Sequence, residues 1–188
     1  MVAHSHTERT ISDQARLFLI QLAREAIAAR LEGRSQPSTR PTEPELLELR
    51  GAFVTLTIDR RLRGCIGHVE GVSPLWLAVR DNAVAAAFRD PRFEPLTRGE
   101  LDDVRIEISA LTPMTPGSPD DVVVGRDGIL IERGRSRGLL LPQVAVEYGW
   151  DAETFLDATC RKAGLEGGSW RDPGTRISTF SAEVFGED

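Results

Sequence analysis

Cysteine is scarce in this chain: Cys65 and Cys160 are the only two in 188 residues. A disulfide framework is excluded, and two free thiols point to a reducing, cytoplasmic setting. Lysine is nearly absent as well, Lys162 being the only one, so arginine carries almost all the positive charge. Acidic residues still outnumber basic ones, 29 to 23, for a net charge of -6 and a pI near 5.2. That balance argues against a nucleic-acid partner, because phosphate neutralisation needs concentrated positive charge. No run approaches the roughly 18 apolar residues that span a bilayer, so no membrane association is expected. Met1 to Thr10 is polar and holds no apolar signal-peptide core. Residues 1–9 read as a flexible tail, and His4 and His6 within it as surface residues.

Several chemical signatures are missing too. There is no GxGxxG after a strand, no GxxxxGK[ST] and no HExxH. Their absence removes the commonest dinucleotide, nucleotide and metalloprotease readings. The cysteines and His68 lack zinc-site spacing, so neither a metal nor a cofactor is expected. Repeats and low-complexity tracts are also absent.

The periodicity of what is present predicts an α+β, or mixed α/β, protein. Thr10 or Ser12 caps a first helix to about Leu31, with Ala15, Phe18, Leu19, Leu22, Ala23, Ala26 and Ile27 in one apolar stripe. Pro44 starts a short helical turn. Phe53–Ile58 and Leu62–Gly67 read as neighbouring strands joined at Asp59 to Arg61. Ser73-Pro74 opens a helix that Asp90-Pro91 ends. Thr97 to Glu100 has capping-box spacing. Val104, Ile106, Ile108 and Ala110 alternate with polar residues as a half-buried strand does. Thr112 to Asp121 holds three prolines and a glycine and is the expected seam between two lobes of one domain spanning 10–188. Short strands are expected near Val122–Val124, Ile129–Glu132 and Gly138–Leu141. Helices should start at Pro142 and after Asp151, and a last strand should put Phe180, Ala182 and Val184 on one face. Strict βαβ alternation is missing, so part of the sheet should be antiparallel.

The densest chemistry lies in Leu62-Arg63-Gly64-Cys65-Ile66-Gly67-His68. A thiol becomes a nucleophile or ligand when positive charge or backbone N–H groups stabilise its thiolate. Arg63 shares a face with Cys65 on a regular strand, whereas His68 lies opposite unless Gly67 breaks the alternation. Gly64 and Gly67 could let backbone donors approach an anion. Equally, Cys65 could be a small buried hydrophobe where a helix crosses closely. Cys160 reads as core. In Asp90-Pro91-Arg92-Phe93, Arg92 could offer its guanidinium to a carboxylate over an aromatic edge, or form a local turn pair with Asp90. Gln143, after Gly138 to Pro142, either lines a cleft or faces solvent.

Taken together these stretches resemble the AMMECR1 domain family, whose bacterial and archaeal members are labelled AmmeMemoRadiSam system protein A. The matching residues are Leu62 to Gly67, Asp90 to Phe93 with Pro95-Leu96, Glu107-Ile108-Ser109, Gly138 to Ala145, Trp150 with Phe155-Leu156, Cys160 to Leu165, and Trp170. The resemblance implies a two-lobed fold, with a largely antiparallel sheet flanked by helices, a smaller second lobe and a cleft beside the RGCIG motif. Carried over by position, Cys65 and Arg63 are the candidate catalytic residues. Gly64, Ile66, Gly67, Arg92 and Gln143 are the candidate binding residues. His68 falls outside the shared pattern. The family association implies a Memo-like protein and a radical SAM enzyme as partners in a modification pathway. Two functions follow: an enzyme acting through Cys65, or a non-catalytic adaptor that binds a peptide or a small anion.

Overall fold

The structure is a computed structural model that describes residues 10–187. The chain divides into two compact units. One ends at Leu111 and takes back the chain's last stretch from Glu183; the other is Thr112–Ala182.

In the first unit, helix α1 (Asp13–Leu31) starts where the Ser12 hydroxyl accepts the Ala15 N–H, an N-cap that satisfies one of the orphan donors of the first turn. Its apolar stripe is buried at Ala15, Leu19, Leu22, Ala23, Ala26 and Ile27. The short α2 (Pro44–Leu47) follows, with Pro44 in its first turn. Strands β1 (Ala52–Ile58) and β2 (Arg61–His68) then form an antiparallel hairpin. Its loop is two residues long, and Asp59 and Arg60 both take positive φ, 50° and 63°. This is the backbone a right-twisted tight hairpin requires. A register shift beside Leu56 and Thr57 then sets Thr55 opposite Cys65.

Helix α3 (Leu75–Phe88) packs its Leu75, Trp76, Val79, Ala83, Ala86 and Ala87 face into the core, and the chain leaves it at Asp90-Pro91. Strand β3 (Arg105–Leu111) pairs with β1 on the side away from β2, leaving β2 with an outer edge. Val54, Leu56, Ile106 and Ile108 point to the helices and are buried.

In the second unit the expected strand at Val122–Val124 does not form; Val123 accepts the N–H groups of Arg126 and Asp127 in a turn instead. A two-residue strand, β4 (Thr115–Pro116), pairs with β7 (Arg176–Gly186) earlier in the chain than anticipated. Strands β5 (Asp127–Arg133) and β6 (Ser136–Leu140) make the anticipated hairpin, and β5 also pairs with β7. Helices α4 (Pro142–Glu147) and α5 (Ala152–Lys162) cover this sheet, and Asp151 caps α5 by accepting the Thr154 N–H. Ile129, Ile131, Ala145, Phe155, Leu156 and Cys160 form the core. Phe180 is buried, but Val184 is exposed rather than sharing its face with the core. The last residues of β7 belong to the first unit. Both units are thus built of antiparallel strands backed by helices, an α+β architecture. Among the described residues no helix is long and apolar enough to cross a membrane.

Candidate functional site

Strand β2 sorts the RGCIG residues onto two faces, since side chains alternate along a strand. Gly64, Ile66 and His68 turn toward α3. A Cβ on Gly64 would fall 2.2 Å from the carbonyl oxygen of Ala86, so this glycine lets the helix cross against the strand. Ile66 packs against the core cluster. The His68 Nδ1 lies 3.1 Å from Asn82 Oδ1, and the Asn82 amide donates to the Ala52 carbonyl at 3.0 Å. His68 is therefore a helix-side residue and no partner for Cys65, as regular alternation requires.

Arg63, Cys65 and Gly67 occupy the other face. Gly67 is not an open cradle, because the Phe53 ring fills the space of its missing side chain, 2.4 Å from a virtual Cβ. The space of the missing side chain is filled at both glycines, by the Ala86 carbonyl at Gly64 and by the Phe53 ring and the Ala52 carbonyl at Gly67. Arg63 is also committed elsewhere. Its Nε and Nη2 donate to the Glu100 carboxylate at 2.7 and 3.2 Å, and its Nη1 donates to the Glu94 carbonyl at 2.9 Å. Those bonds, against the opposing effect of burial, hold Glu100 down to a pKa of about 2. Glu100 itself is fixed by the capping box, taking the Thr97 N–H and hydroxyl at 2.8 Å each. Arg63 is a strut between β2 and the turn at residues 98–100, with its charge neutralised.

Cys65 is half-buried, and the Thr55 hydroxyl reaches its Sγ at 3.3 Å from the paired strand. Its backbone faces outward along the free edge of β2, and the turn after α3 meets it there. The Asp90 carboxylate accepts the Cys65 N–H at 2.9 Å through Oδ2. The same oxygen accepts Arg92 Nη2 at 2.7 Å, and Oδ1 accepts the Arg92 Nε and N–H at 3.0 and 3.1 Å. Arg92 Nη2 also lies 3.4 Å from the Cys65 carbonyl. The Asp90 side chain is only 2% exposed, whereas that of Arg92 is 54% exposed. The guanidinium bonds hold Asp90 far below the usual carboxylate range despite its burial. In return Asp90 raises Arg92, with charge on Cys65 a smaller contribution in the same direction. Arg92 thus meets the Cys65 backbone at the strand edge, while Arg63 is held by Glu100.

Of the two sequence readings of Asp90-Pro91-Arg92-Phe93, the structure shows the turn pair, with Phe93 half-buried rather than a core plug. Asp90 and Arg92 form the turn pair, and the guanidinium carbon lies 5.5 Å from the centroid of the Phe93 ring. Nε and Nη2 of the guanidinium are engaged, and the side chain remains half-exposed. Gln143 is exposed on α4 in the second unit. Cys160 is fully buried there, and burial raises its pKa. Among the described residues no group of His, Cys, Asp and Glu is arranged to hold a metal ion. Thr55 is the contributor that residue-by-residue reading omits, and Asp90, read there only as a turn partner of Arg92, also binds the Cys65 N–H. The available signal for Asp90 was a buried-sounding Asp-Pro at a helix end two residues from an arginine; for Thr55 it was hairpin register.

Comparison with known proteins places this geometry in context. The family model described as AMMECR1 matches residues 20–185. A protein of Methanothermobacter thermautotrophicus is 48% identical over 178 residues, covering 90% of this chain and 93% of its own. A protein of Thermococcus gammatolerans is 46% identical over 190 residues, covering 95% and 93%. The crystal structure of an uncharacterized protein from Pyrococcus horikoshii superposes with a TM-score of 0.81 at 43% identity, covering 95% of this chain and 94% of that one.

Proposed function

The chain belongs to the AMMECR1 family, and from that premise we propose that its functional surface is the outer edge of β2 at Cys65, where Arg92 receives an anionic group of a small molecule or peptide. The observation that carries this reading is the state of Arg92: half-exposed, clipped by buried Asp90 and lying over Phe93. A guanidinium held in one pose gives up little further freedom on meeting a carboxylate, and its planar fork suits that partner. The surface acts as a binding element within a modification pathway shared with a Memo-like protein and a radical SAM enzyme; those partners rest on the family resemblance alone. Two unpaired thiols suit a cytoplasmic setting. A cleft beside the RGCIG motif is part of the same proposal.

The test is an NMR titration with sodium acetate at constant ionic strength, sodium chloride serving as the control. Saturable shifts at Cys65, Arg92 and Phe93 are expected in the native protein and in Cys65→Ser, and none in Arg92→Ala. Equal responses to acetate and chloride would reject the reading. One observation favours a second reading, an enzyme with Cys65 as nucleophile: the Thr55 hydroxyl donates to Sγ and a cation lies nearby. That reading requires Cys65→Ser to abolish turnover in a mixture containing the partners, and retained turnover would exclude it.

A further inference from the structure

Asp90 stands out among the buried charges because its two oxygens serve two different segments at once. One oxygen binds the backbone N–H of Cys65 on β2 and the guanidinium of Arg92 together; the other takes the Nε and the main-chain N–H of Arg92. We infer that Asp90 is a positioning residue, a single buried carboxylate that locks the guanidinium of Arg92 against the Cys65 backbone and so makes the strand edge selective for anions. The inference rests on the anion-binding reading and goes further, naming the residue that sets selectivity.

The physical case is one of fixed geometry. An exposed arginine side chain normally samples many rotamers, and its charge is then averaged over a wide volume. Here Arg92 is gripped side-on through Nε and Nη2, which leaves one rotamer and directs Nη1 away from Asp90. Because the same carboxylate holds the Cys65 N–H, the strand and the turn cannot drift apart without breaking a charge-assisted bond. With Asp90 buried and Arg92 half-exposed, the pair turns its positive end toward solvent. Arg63 and Glu100 neutralise each other along β2, and Glu107 stands beyond Thr55 on β3. None of these can substitute for Arg92.

The experiment compares alkylation of Cys65 by iodoacetate, an anion, with that by iodoacetamide, its neutral counterpart, at pH 7.5 on the full chain, read by peptide mass spectrometry. The iodoacetate-to-iodoacetamide rate ratio at Cys65 should exceed that of glutathione by up to about fivefold, the limit set by one uncompensated opposite charge near contact distance in water. In Asp90→Asn the ratio should fall to that of Arg92→Gln, and the double variant should fall no further, since both remove one device. Arg92→Lys keeps the charge but cannot be gripped at two points, so it too should lose the preference; this surface variant serves where Asp90→Asn does not fold. A purely structural role would raise both rates together and leave the ratio unchanged. A retained ratio in Asp90→Asn or Arg92→Lys would overturn the inference. Independently, the Nε–H of Arg92 and the amide of Cys65 should show slowed hydrogen exchange in the native protein, and fast exchange at both would overturn it as well. A native ratio equal to that of glutathione, with slow exchange retained, would reject anion binding while leaving Asp90 as the lock.

Discussion

At the residue scale, the RGCIG motif divides its work between packing and exposure. Gly64 and Ile66 serve the core, Gly67 serves Phe53, and Cys65 keeps a half-buried free thiol. Gly64 is the sharpest case, because a methyl group there meets backbone rather than a yielding side chain. Gly64→Ala is expected to destabilise the protein by roughly 3 kcal/mol, the upper part of the range for overpacking, through displacement of α3. Urea denaturation checks this, and a loss under about 0.5 kcal/mol, the range of a neutral surface change, would show that the helix gives way freely. The reading of Gly64 as a ligand cradle was reasonable from composition, since glycines beside a cysteine serve both ends. Which end applies depends on what crosses the strand, and that is a tertiary fact.

At the element scale, β2 is held by two struts, Arg63–Glu100 and Asp90 with Arg92. The first titrates. Glu100 has its pKa lowered from 4.5 to about 2, chiefly by the Arg63 hydrogen bonds. A carboxylate with a depressed folded-state pKa contributes its stability in full above its unfolded value and loses it as pH falls toward the folded one. The native protein should therefore lose more of its urea midpoint between pH 5 and pH 2.5 than Glu100→Gln does. Parallel curves would remove the strut. Most elements were legible from the sequence: α1, α3, α5 and the β5–β6 hairpin follow plainly from apolar period, caps and turn residues. The Val122–Val124 strand was not, because three valines satisfy a strand pattern locally while tertiary pairing assigns them to a turn. Hairpin register was half-legible. The two-residue loop fixes it up to Thr57, but the shift beside Leu56 moves Cys65 to face Thr55. Nothing in local sequence marks that bulge. For the same reason the sequence pointed to Arg63 as the thiol's cation: face-sharing is visible in spacing, but Glu100's prior claim on the guanidinium is not.

At the scale of the whole molecule, the end of β7 returns to the first unit and is tied there by charge. Glu183 accepts Arg50 Nη2 at 3.1 Å, Arg16 Nη2 at 3.3 Å and the Ile11 N–H at 3.0 Å. The Arg50 side chain is 3% exposed, and its Nε donates to the Leu111 carbonyl. Removing its acid leaves a buried charge unanswered, which costs about 3 kcal/mol. Glu183→Ala should lower the thermal midpoint accordingly, and Arg16→Ala, at the exposed side of the same acid, should lower it far less. Similar effects from both would mean that Arg50 finds another partner. The two units each hold one cysteine, Cys65 half-buried in the first and Cys160 buried in the second. One measurement thus reads both: native protein treated with an equal mixture of iodoacetate and iodoacetamide, then digested and weighed. The account requires Cys65 to be labelled in the folded state with a preference for iodoacetate, and Cys160 to stay unlabelled until urea unfolds the chain. Cys65 inert until the same urea concentration would make its thiol structural and would contradict a functional surface at this strand edge.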